Sequence, residues 1–478
     1  MKAPGLLFII FFFCAVPPLF AYGLLESKSE RQWHRQHDYR NACSSFFGFL
    51  GNEFECVSLK SIQSNLSLNA LSNHSPASRI FAVGSDTHPV FYSAPTRGTD
   101  GLTLQTGENL MGEIELNLGS DRFRLAADLL TMASVSHLKS QFHLSELSIS
   151  GRLNHLVASL GRKSLHWGQS WVSPLLLSNN AKPMDSLVLS TLPTRLGALS
   201  EILGATKAEI FFSRMGKDRD PPNDYFFGGR VGMHPFDSFE LNAAVIYEMG
   251  GDGVDTGRSS DLLIEILGGR RGYSDVTDDS SNVTARGAEV DIRIPFTWTG
   301  LDLDIYSEQH LRDCCGKFKT VIEQFYSFLY GVELRFEGNQ VNFEWAQLAD
   351  KIYFNRVWPS HFASGARLMG PPAGRNGHQF YLNWKRRWRN SFDTLSFLFF
   401  ENHQSSSNLD RGILINGYYP NYQTTEKRMG GVQRLQWEYK ENRFLDLSAL
   451  MMQVLAKENI RGRNSFEWAW AIGWRLSL

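Results

Sequence analysis

The feature that most constrains this chain is a two-residue alternation of apolar and polar side chains that recurs through most of its length. It is clearest at the C-terminal end, where every second residue is apolar and mostly large: Phe466, Trp468, Trp470, Ile472, Trp474, Leu476 and Leu478. The same spacing recurs in segments 239–249, 290–296, 301–305, 332–336, 341–345 and 435–439. A period of two predicts β-strands with one apolar face. The chain is therefore predicted to be all-β.

Short and long connections alternate between these segments. Short polar turns are predicted at 119–121, 234–237, 337–340 and 440–442, and long polar loops at 250–284, 310–323, 350–377 and 402–428. Outer-membrane barrels have short periplasmic turns and long external loops, with strands of about ten residues. The rhythm predicts an antiparallel up-and-down transmembrane β-barrel of roughly sixteen to eighteen strands that occupies residues 78–478.

A soluble β-sandwich is the alternative, since its strands also alternate, with the apolar face inward. Four features favour the barrel: the N-terminus predicts a signal peptide, no helix-rich region interrupts the strands, aromatic residues recur near predicted strand ends, and the last strand reaches the C-terminus. The aromatic residues expected at the membrane interface are Tyr353, Phe354, Trp358, Trp384 and Trp388.

A sheet in lipid must close on itself, with its apolar face outward and its charged face inward. The predicted inward charges have both signs: Glu113, Glu115, Arg122, Arg124, Glu289, Arg293, Glu333 and Arg335. Charges of both signs can pair across the lumen and hold an inserted loop, which favours an occluded interior.

The N-terminus predicts export. Met1-Lys2 precedes an apolar run from Leu6 to Val16, and Ala21 provides a small residue for cleavage. Residues 1–21 are therefore predicted to be a signal peptide, and residues 22–77 a small N-terminal periplasmic segment. An uncleaved anchor is the alternative, but the run is shorter than the roughly 18 residues that a spanning helix needs.

Charge and cysteine content narrow the function. The chain has 48 Lys+Arg and 49 Asp+Glu, so it lacks the basic surplus of a nucleic-acid-binding protein. Cys43, Cys56, Cys314 and Cys315 remain after cleavage, and the pairs 43–56 and 314–315 are candidate disulfides in an oxidising compartment. The spacing around Cys314 and Cys315 is not that of a zinc site. No metal or cofactor is predicted.

An outer-membrane hydrolase is a further alternative. The stretch Gly168-Gln169-Ser170 lacks the second glycine of a nucleophile elbow, and no third group is identified beside His166 and Ser170. We therefore predict no catalytic residue and no enzymatic activity.

One segment, 162–195, breaks the alternation. It is rich in Ser, Asn and Pro, which favour irregular backbone that can fold into a lumen. Its pattern resembles the signature of the capsule assembly protein Wzi family, in which a Gly-Arg strand end leads to Trp-Gly and then to Leu-Ser-Asn-Asn-Ala-Arg/Lys-Pro. The matching residues are Gly161, Arg162, Trp167, Gly168, Leu177, Ser178, Asn179, Asn180, Ala181, Lys182 and Pro183. Similar pieces follow in order at 226–230, 248–253, 343–346 and 374–378.

The resemblance implies a barrel of about eighteen strands in the outer membrane of a Gram-negative bacterium, with a periplasmic helical element. Members of the family bind extracellular polysaccharide and help to anchor a capsule, as lectins rather than enzymes. No such helical part is evident between residues 22 and 105. The expected partners are extracellular polysaccharide and outer-membrane lipid, and the expected state is a monomer. A porin or substrate-specific channel is the alternative function.

Sugar-binding residues are sought in the long loops, because carbohydrates bind to aromatic faces and planar polar groups. The candidates are Tyr353, Arg356, Trp358, Arg367, Tyr418, Tyr419 and Tyr422. The arginines supply cations for an acidic polymer. Alternatively, the aromatic residues belong to the interfacial girdle or pack loops together. The motif residues Trp167, Gly168, Ser178, Asn179, Asn180 and Pro183 are expected to be structural.

Overall fold

The structure is a computed structural model of the chain. It describes residues 62–73, 78–82, 89–92, 107–119, 122–134, 139–170, 174–178, 181–217, 221–236, 239–254, 284–298, 300–311, 325–349, 363–364, 367–371, 377–389, 392–403, 426–440, 443–455 and 465–477. The signal peptide, both candidate disulfides and residues 22–61 of the N-terminal segment lie outside these ranges, and those predictions stand as made.

Eighteen antiparallel strands form a ring in the described part of the chain, and each pairs with its neighbours in sequence. They are β1 (Ile62–Asn73), β2 (Gly107–Gly119), β3 (Phe123–Ser134), β4 (Lys139–Leu153), β5 (Leu156–Lys163), β6 (Met184–Thr191), β7 (Ala205–Arg214), β8 (Tyr225–Phe236), β9 (Phe239–Met249), β10 (Thr284–Trp298), β11 (Leu301–Leu311), β12 (Phe325–Phe336), β13 (Asn339–Gln347), β14 (Gly377–Arg389), β15 (Phe392–His403), β16 (Glu426–Lys440), β17 (Arg443–Leu455) and β18 (Ser465–Ser477).

Strand β1 closes the ring because it pairs with both β2 and β18. Leu68, for example, lies opposite Gly112 on one side and Trp474 on the other. A closed ring leaves no edge of unpaired backbone groups, as a sheet in lipid requires. The predicted barrel of about 18 strands is confirmed. Its first strand, however, precedes Ser78, where the sequence analysis placed the start of the barrel.

Apolar side chains lie on the outer face of the sheet and charged side chains on the inner face, the reverse of the arrangement in a soluble protein. On β11, Ile305 on the outer face is 42% exposed, whereas Asp304 and Glu308 on the inner face are 2% and 0% exposed. Because side chains alternate along a strand, this pattern repeats around the ring, with large apolar residues outside and charged residues buried inside. The predicted assignment of apolar faces to lipid and charged faces to the lumen holds.

The tight turns define one end of the barrel. Strands β12 and β13 are joined by Glu337 and Gly338, whose φ angles of 43° and 76° give the left-handed backbone of a two-residue hairpin. The predicted turn at 234–237 begins later, because β8 continues to Phe236. A register shift between Met233 and Phe236 accommodates Pro235, which has no N–H to donate.

Large aromatic side chains are exposed on the outer face at this short-turn end. They are Trp298, Phe336, Trp384, Trp388, Trp437 and Tyr439. Aromatic girdles of this kind mark the membrane interfaces of a barrel, and short turns mark its periplasmic side. Trp384 and Trp388 therefore occupy the expected position, while Tyr353, Phe354 and Trp358 lie outside the described residues.

The remaining described elements are short. Ser78–Ala82 pairs with Pro89–Tyr92, Ala363–Ser364 pairs with Arg367–Leu368, and Thr194–Arg195 extends the sheet at β7. A 3-10 turn (Gly197–Leu199) leads into α1 (Ser200–Leu203). Among the described residues, no helix has the length and apolar character to cross a bilayer.

We expect Ile305→Arg to lower the free energy of unfolding in phospholipid vesicles by about 3 kcal/mol, because it places a charge near the middle of the lipid-facing surface. Phe336→Arg is the matched control at the short-turn end, where the expected cost is below about 1 kcal/mol. Urea titration of the folded barrel measures both. Equal losses at the two positions would contradict the assigned membrane depth.

Candidate functional site

The connection between β5 and β6 folds back into the ring. We call residues 164–183 the luminal segment; residues 164–170, 174–178 and 181–183 of it are described. Trp167, Leu175, Leu176 and Leu177 are at most 1% exposed and form a hydrophobic core inside the barrel with inward-facing strand residues. The predicted insertion of this irregular stretch into the lumen is therefore observed, and it fills part of the interior.

Trp167 anchors the start of the luminal segment. Its backbone N–H donates to the carbonyl of Leu177 at 2.9 Å, which closes the segment into a loop. The indole Nε1 donates to Glu209 Oε1 on β7 at 2.7 Å. The ring meets Phe211 edge-on, with centroids 5.2 Å apart. One side chain thus satisfies its polar atom and packs its apolar surface against the same strand.

Glu308 on β11 holds the turn that follows. Its Oε1 accepts hydrogen bonds from the backbone N–H groups of Gln169 and Ser170, both at 2.5 Å. Its Oε2 accepts a third from the N–H of Leu175 at 2.7 Å. An irregular loop has no ladder partner for its own N–H groups, and a buried unpaired N–H costs about 1–3 kcal/mol. A single carboxylate satisfies three of them here.

Gly168 makes this approach possible. A Cβ at this position would lie 2.3 Å from Pro174 Cβ and 2.6 Å from Glu308 Oε1, and its φ of 135° is a conformation that L side chains rarely adopt. The Trp-Gly pair of the family motif therefore has a physical reason, since the tryptophan anchors the loop and the glycine admits the carboxylate.

The side chains of Gln169 and Ser170 form hydrogen bonds with strands β9, β10 and β13. Gln169 Nε2 donates to Glu240 Oε1 on β9 at 3.1 Å and to Asp291 Oδ1 on β10 at 2.6 Å. Ser170 Oγ donates to Glu344 Oε2 on β13 at 2.9 Å. Together with Glu308, these contacts join the luminal segment to four strands of the barrel.

The wall around the luminal segment is acidic. Between β8 and β13 it carries buried carboxylates at Glu240, Glu289, Asp291, Asp304, Glu308, Glu333 and Glu344, and guanidinium groups at Arg230, Arg293 and Arg335. Arg230 pairs with Asp291 at 2.9 Å, and Arg293 pairs with Asp304. Carboxylates exceed cations in this wall, and hydrogen-bond donors of the luminal segment reach four of them: Glu240, Asp291, Glu308 and Glu344.

His166 and Ser170 are not arranged as a base and a nucleophile. His166 Nε2 lies 3.2 Å from the backbone carbonyl of Ser170, while the Ser170 hydroxyl donates to Glu344. Burial lowers the pKa of His166 to about 4; the bond to the Ser170 carbonyl opposes this shift, and the nearby Arg230 adds to it. His166 is therefore a neutral residue that closes the loop.

The motif serine connects the luminal segment to another loop. Ser178 N–H donates to the carbonyl of Met369 at 2.5 Å, and Ser178 Oγ donates to the carbonyl of Gly370 at 3.1 Å. Met369 and Gly370 follow the short hairpin that contains Arg367, whose backbone pairs with Ser364. The luminal segment thus supports the connection between β13 and β14, which carries several of the candidate sugar-binding residues.

Most of the predicted site residues lie outside the described part of the chain. These are Tyr353, Arg356, Trp358, Tyr418, Tyr419, Tyr422, Asn179 and Asn180. Pro183 is buried where the luminal segment enters β6. The structure adds residues that sequence reasoning missed, chiefly Glu209, Glu308 and Glu344. The alternation predicts that these side chains point inward, but the sequence does not predict which residues they contact.

The described residues contain no group of three His, Cys, Asp or Glu side chains placed to hold a metal ion.

The sequence profile of the family described as capsule assembly protein Wzi matches residues 81–458. The chain belongs to this family. A solved structure titled as Wzi, an outer-membrane protein involved in group 1 capsule assembly in Escherichia coli and a carbohydrate-binding β-barrel, aligns with a TM-score of 0.59 and 15% identity, over 86% of this chain and 84% of that one. At this identity, the likeness shows a shared fold. It agrees with the ring of strands described above.

Two further structures also align. OccD3 (OpdP) of Pseudomonas aeruginosa has a TM-score of 0.45 and 11% identity, over 88% of this chain and 93% of that one. OccAB4 of Acinetobacter baumannii has a TM-score of 0.45 and 7% identity, over 89% and 100%. No curated protein sequence matches at a significant level.

We expect Glu308→Gln to lower the free energy of unfolding by about 3 kcal/mol. In the wild type, backbone N–H groups donate to both carboxylate oxygens, whereas in the variant some of them would face the NH₂ group of the amide. Urea titration of the folded barrel measures this loss. Asp302→Asn is the matched control, since Asp302 lies on the inner face of the same strand, nearer the short-turn end. An equal effect of both variants would argue against Glu308 as the anchor.

We expect His166 to make stability fall with acidification. Its pKa lies below the ordinary value of 6.5, so the unfolded chain takes up a proton first and stability is lost as the pH drops from 6.5 towards 4. The full effect is about 3 kcal/mol. Urea unfolding of the wild type and His166→Asn across this range measures the difference in slope. Parallel curves would refute a buried neutral imidazole.

Proposed function

We propose that the protein is an outer-membrane barrel of a Gram-negative bacterium that binds surface polysaccharide and assists capsule or exopolysaccharide assembly and attachment. The observation that carries this proposal is the family match over residues 81–458. The solved Wzi structure of Escherichia coli, described as a carbohydrate-binding barrel, supports it.

The polymer binds at the long-loop end rather than in the lumen. The described wall between β8 and β13 carries more carboxylates than guanidinium groups, and a polyanion in that space would meet like charge. The luminal segment also occupies part of the interior with a packed core. Both features direct an acidic polysaccharide to the external loops.

The connection between β13 and β14 is the first candidate surface. It includes Tyr353, Arg356, Trp358 and Arg367. Aromatic rings stack on the C–H faces of sugars, and guanidinium groups form paired hydrogen bonds with carboxylates. The two hydrogen bonds from Ser178 to Met369 and Gly370 anchor the end of this connection to the barrel interior. This anchoring supports the connection as a surface that holds a bound polymer.

The connection between β15 and β16 supplies a second set of aromatic residues: Tyr418, Tyr419 and Tyr422. We propose that both connections contact one polymer. The protein acts by binding and without catalysis, as a monomer, with outer-membrane lipid around the ring and no metal or cofactor.

The alternative is a porin or substrate-specific channel, which the strand meander favours. Planar-bilayer recording separates the two functions. Little current at all voltages supports the binding protein, because the luminal segment fills part of the lumen. Large and steady channels support the porin.

We expect deletion of the gene to release polysaccharide into the medium, and the wild-type gene to restore cell-attached polymer. The double variant Tyr353→Ala/Trp358→Ala should retain at least fivefold less polymer in a pull-down, since each lost stacking contact is worth about 1 kcal/mol. Trp298→Ala, at the opposite end of the barrel, is the control and should bind normally. Unchanged cell-attached polymer after deletion would remove the basis of the proposal.

A further inference from the structure

The outer face of β14 carries an arginine between two tryptophans. Trp384, Arg386 and Trp388 alternate along the strand at its short-turn end, and the two tryptophans are 44% and 50% exposed. They lie within the aromatic girdle of that end. An arginine on a lipid-facing surface is costly at the bilayer centre, but at the interface it reaches the headgroups.

The arginine is held in place. The Arg386 guanidinium carbon lies 3.7 Å from the centroid of the Trp388 ring, within the range of a cation–π contact. The Trp388 indole N–H in turn donates to Thr394 Oγ1 at 2.9 Å, which fixes the ring on the neighbouring strand. The Trp384 indole N–H donates to Asn339 Oδ1 at 3.2 Å. Both rings beside Arg386 are therefore fixed.

Among the described residues, no carboxylate pairs with Arg386. Its neighbour Arg387 takes the nearby carboxylate, with Nε 3.1 Å from Asp393 Oδ1. Within the part of the chain that the structure describes, Arg386 makes no ion pair and its guanidinium donates no hydrogen bond. A stacked guanidinium keeps its five N–H donors in its own plane, where they are free to bind an anion at the edge.

We propose that Trp384, Arg386 and Trp388 form a binding site for the phosphate headgroup of an anionic phospholipid in the periplasm-facing leaflet. Short turns place this end at the periplasmic interface, where such headgroups lie. Guanidinium groups bind phosphate through paired hydrogen bonds, and tryptophans settle at the headgroup level. An anionic lipid is favoured over a zwitterionic one, because the latter carries an ammonium group that the arginine repels. The site does not depend on the polysaccharide.

Native mass spectrometry of the full-length protein in detergent tests this site. Phosphatidylglycerol and phosphatidylcholine with the same acyl chains are added at equal concentration, and we expect the wild type to retain phosphatidylglycerol about fivefold more. Arg386→Gln should abolish that preference, and Trp388→Phe, which keeps an aromatic ring but loses the bond to Thr394, should reduce it. Heat-modified migration on gels verifies that each variant is folded.

Arg214→Gln is the matched control. Arg214 is exposed on the outer face at the end of β7 that lies away from the short turns. Its loss should therefore leave the lipid preference intact. Equal retention of the two lipids by the wild type would overturn the proposal, as would an unchanged preference in Arg386→Gln or an equal loss in Arg214→Gln. Complete displacement by millimolar inorganic phosphate would also overturn it, because the site would then recognise free phosphate rather than the lipid.

Discussion

The carboxylate of Glu308 is the contact on which the interior of this barrel depends. It lies on the inner face of β11 and accepts the backbone N–H groups of Gln169, Ser170 and Leu175. A strand of the ring satisfies its backbone groups through its neighbours, whereas a loop inside the ring has no such partner and must find acceptors on the wall. The acidic inner face supplies them. Several of the carboxylates between β8 and β13 therefore accept hydrogen bonds from donors of the luminal segment.

The closed ring and the luminal segment constrain each other. Closure sends the apolar side chains outward, which leaves a polar interior with too few large residues to pack by itself. The segment brings its own apolar core, with Trp167 against Phe211 and the adjacent leucines beneath it. Because Gly168 allows the backbone to pass close to Glu308, the luminal segment provides both a hydrophobic cluster and a set of bonds to the wall. The motif therefore combines apolar residues, which form the core, with polar residues and a glycine, which allow hydrogen bonds to the barrel wall.

The sequence predicted the faces of the barrel far better than its interior contacts. Period-two alternation located β9 and β11 and assigned their charged residues to the lumen, because a strand's two faces are a local property. It missed β1 as a barrel strand, since Leu66, Leu68 and Ala70 alternate with serine and asparagine and the apolar row ends at Ser72. The insertion of the luminal segment was predicted from its composition. Its anchors were not, because Gln169 and Glu308 are 139 positions apart and only the closed ring brings them together.

The two ends of the barrel perform different mechanical tasks under the proposed function. A polymer held at the long-loop end pulls on the connection between β13 and β14, and the bonds from Ser178 to Met369 and Gly370 pass that force to the luminal segment. From there Glu308 and Glu344 transmit it to the strands of the ring. The lipid-facing surface of the ring holds it in the membrane, and the girdle at the opposite end resists displacement along the barrel axis. A fixed arginine between tryptophans at that interface, engaged with a headgroup phosphate, opposes such movement more strongly than apolar contact does, because withdrawing it into hydrocarbon would bury an unpaired charge.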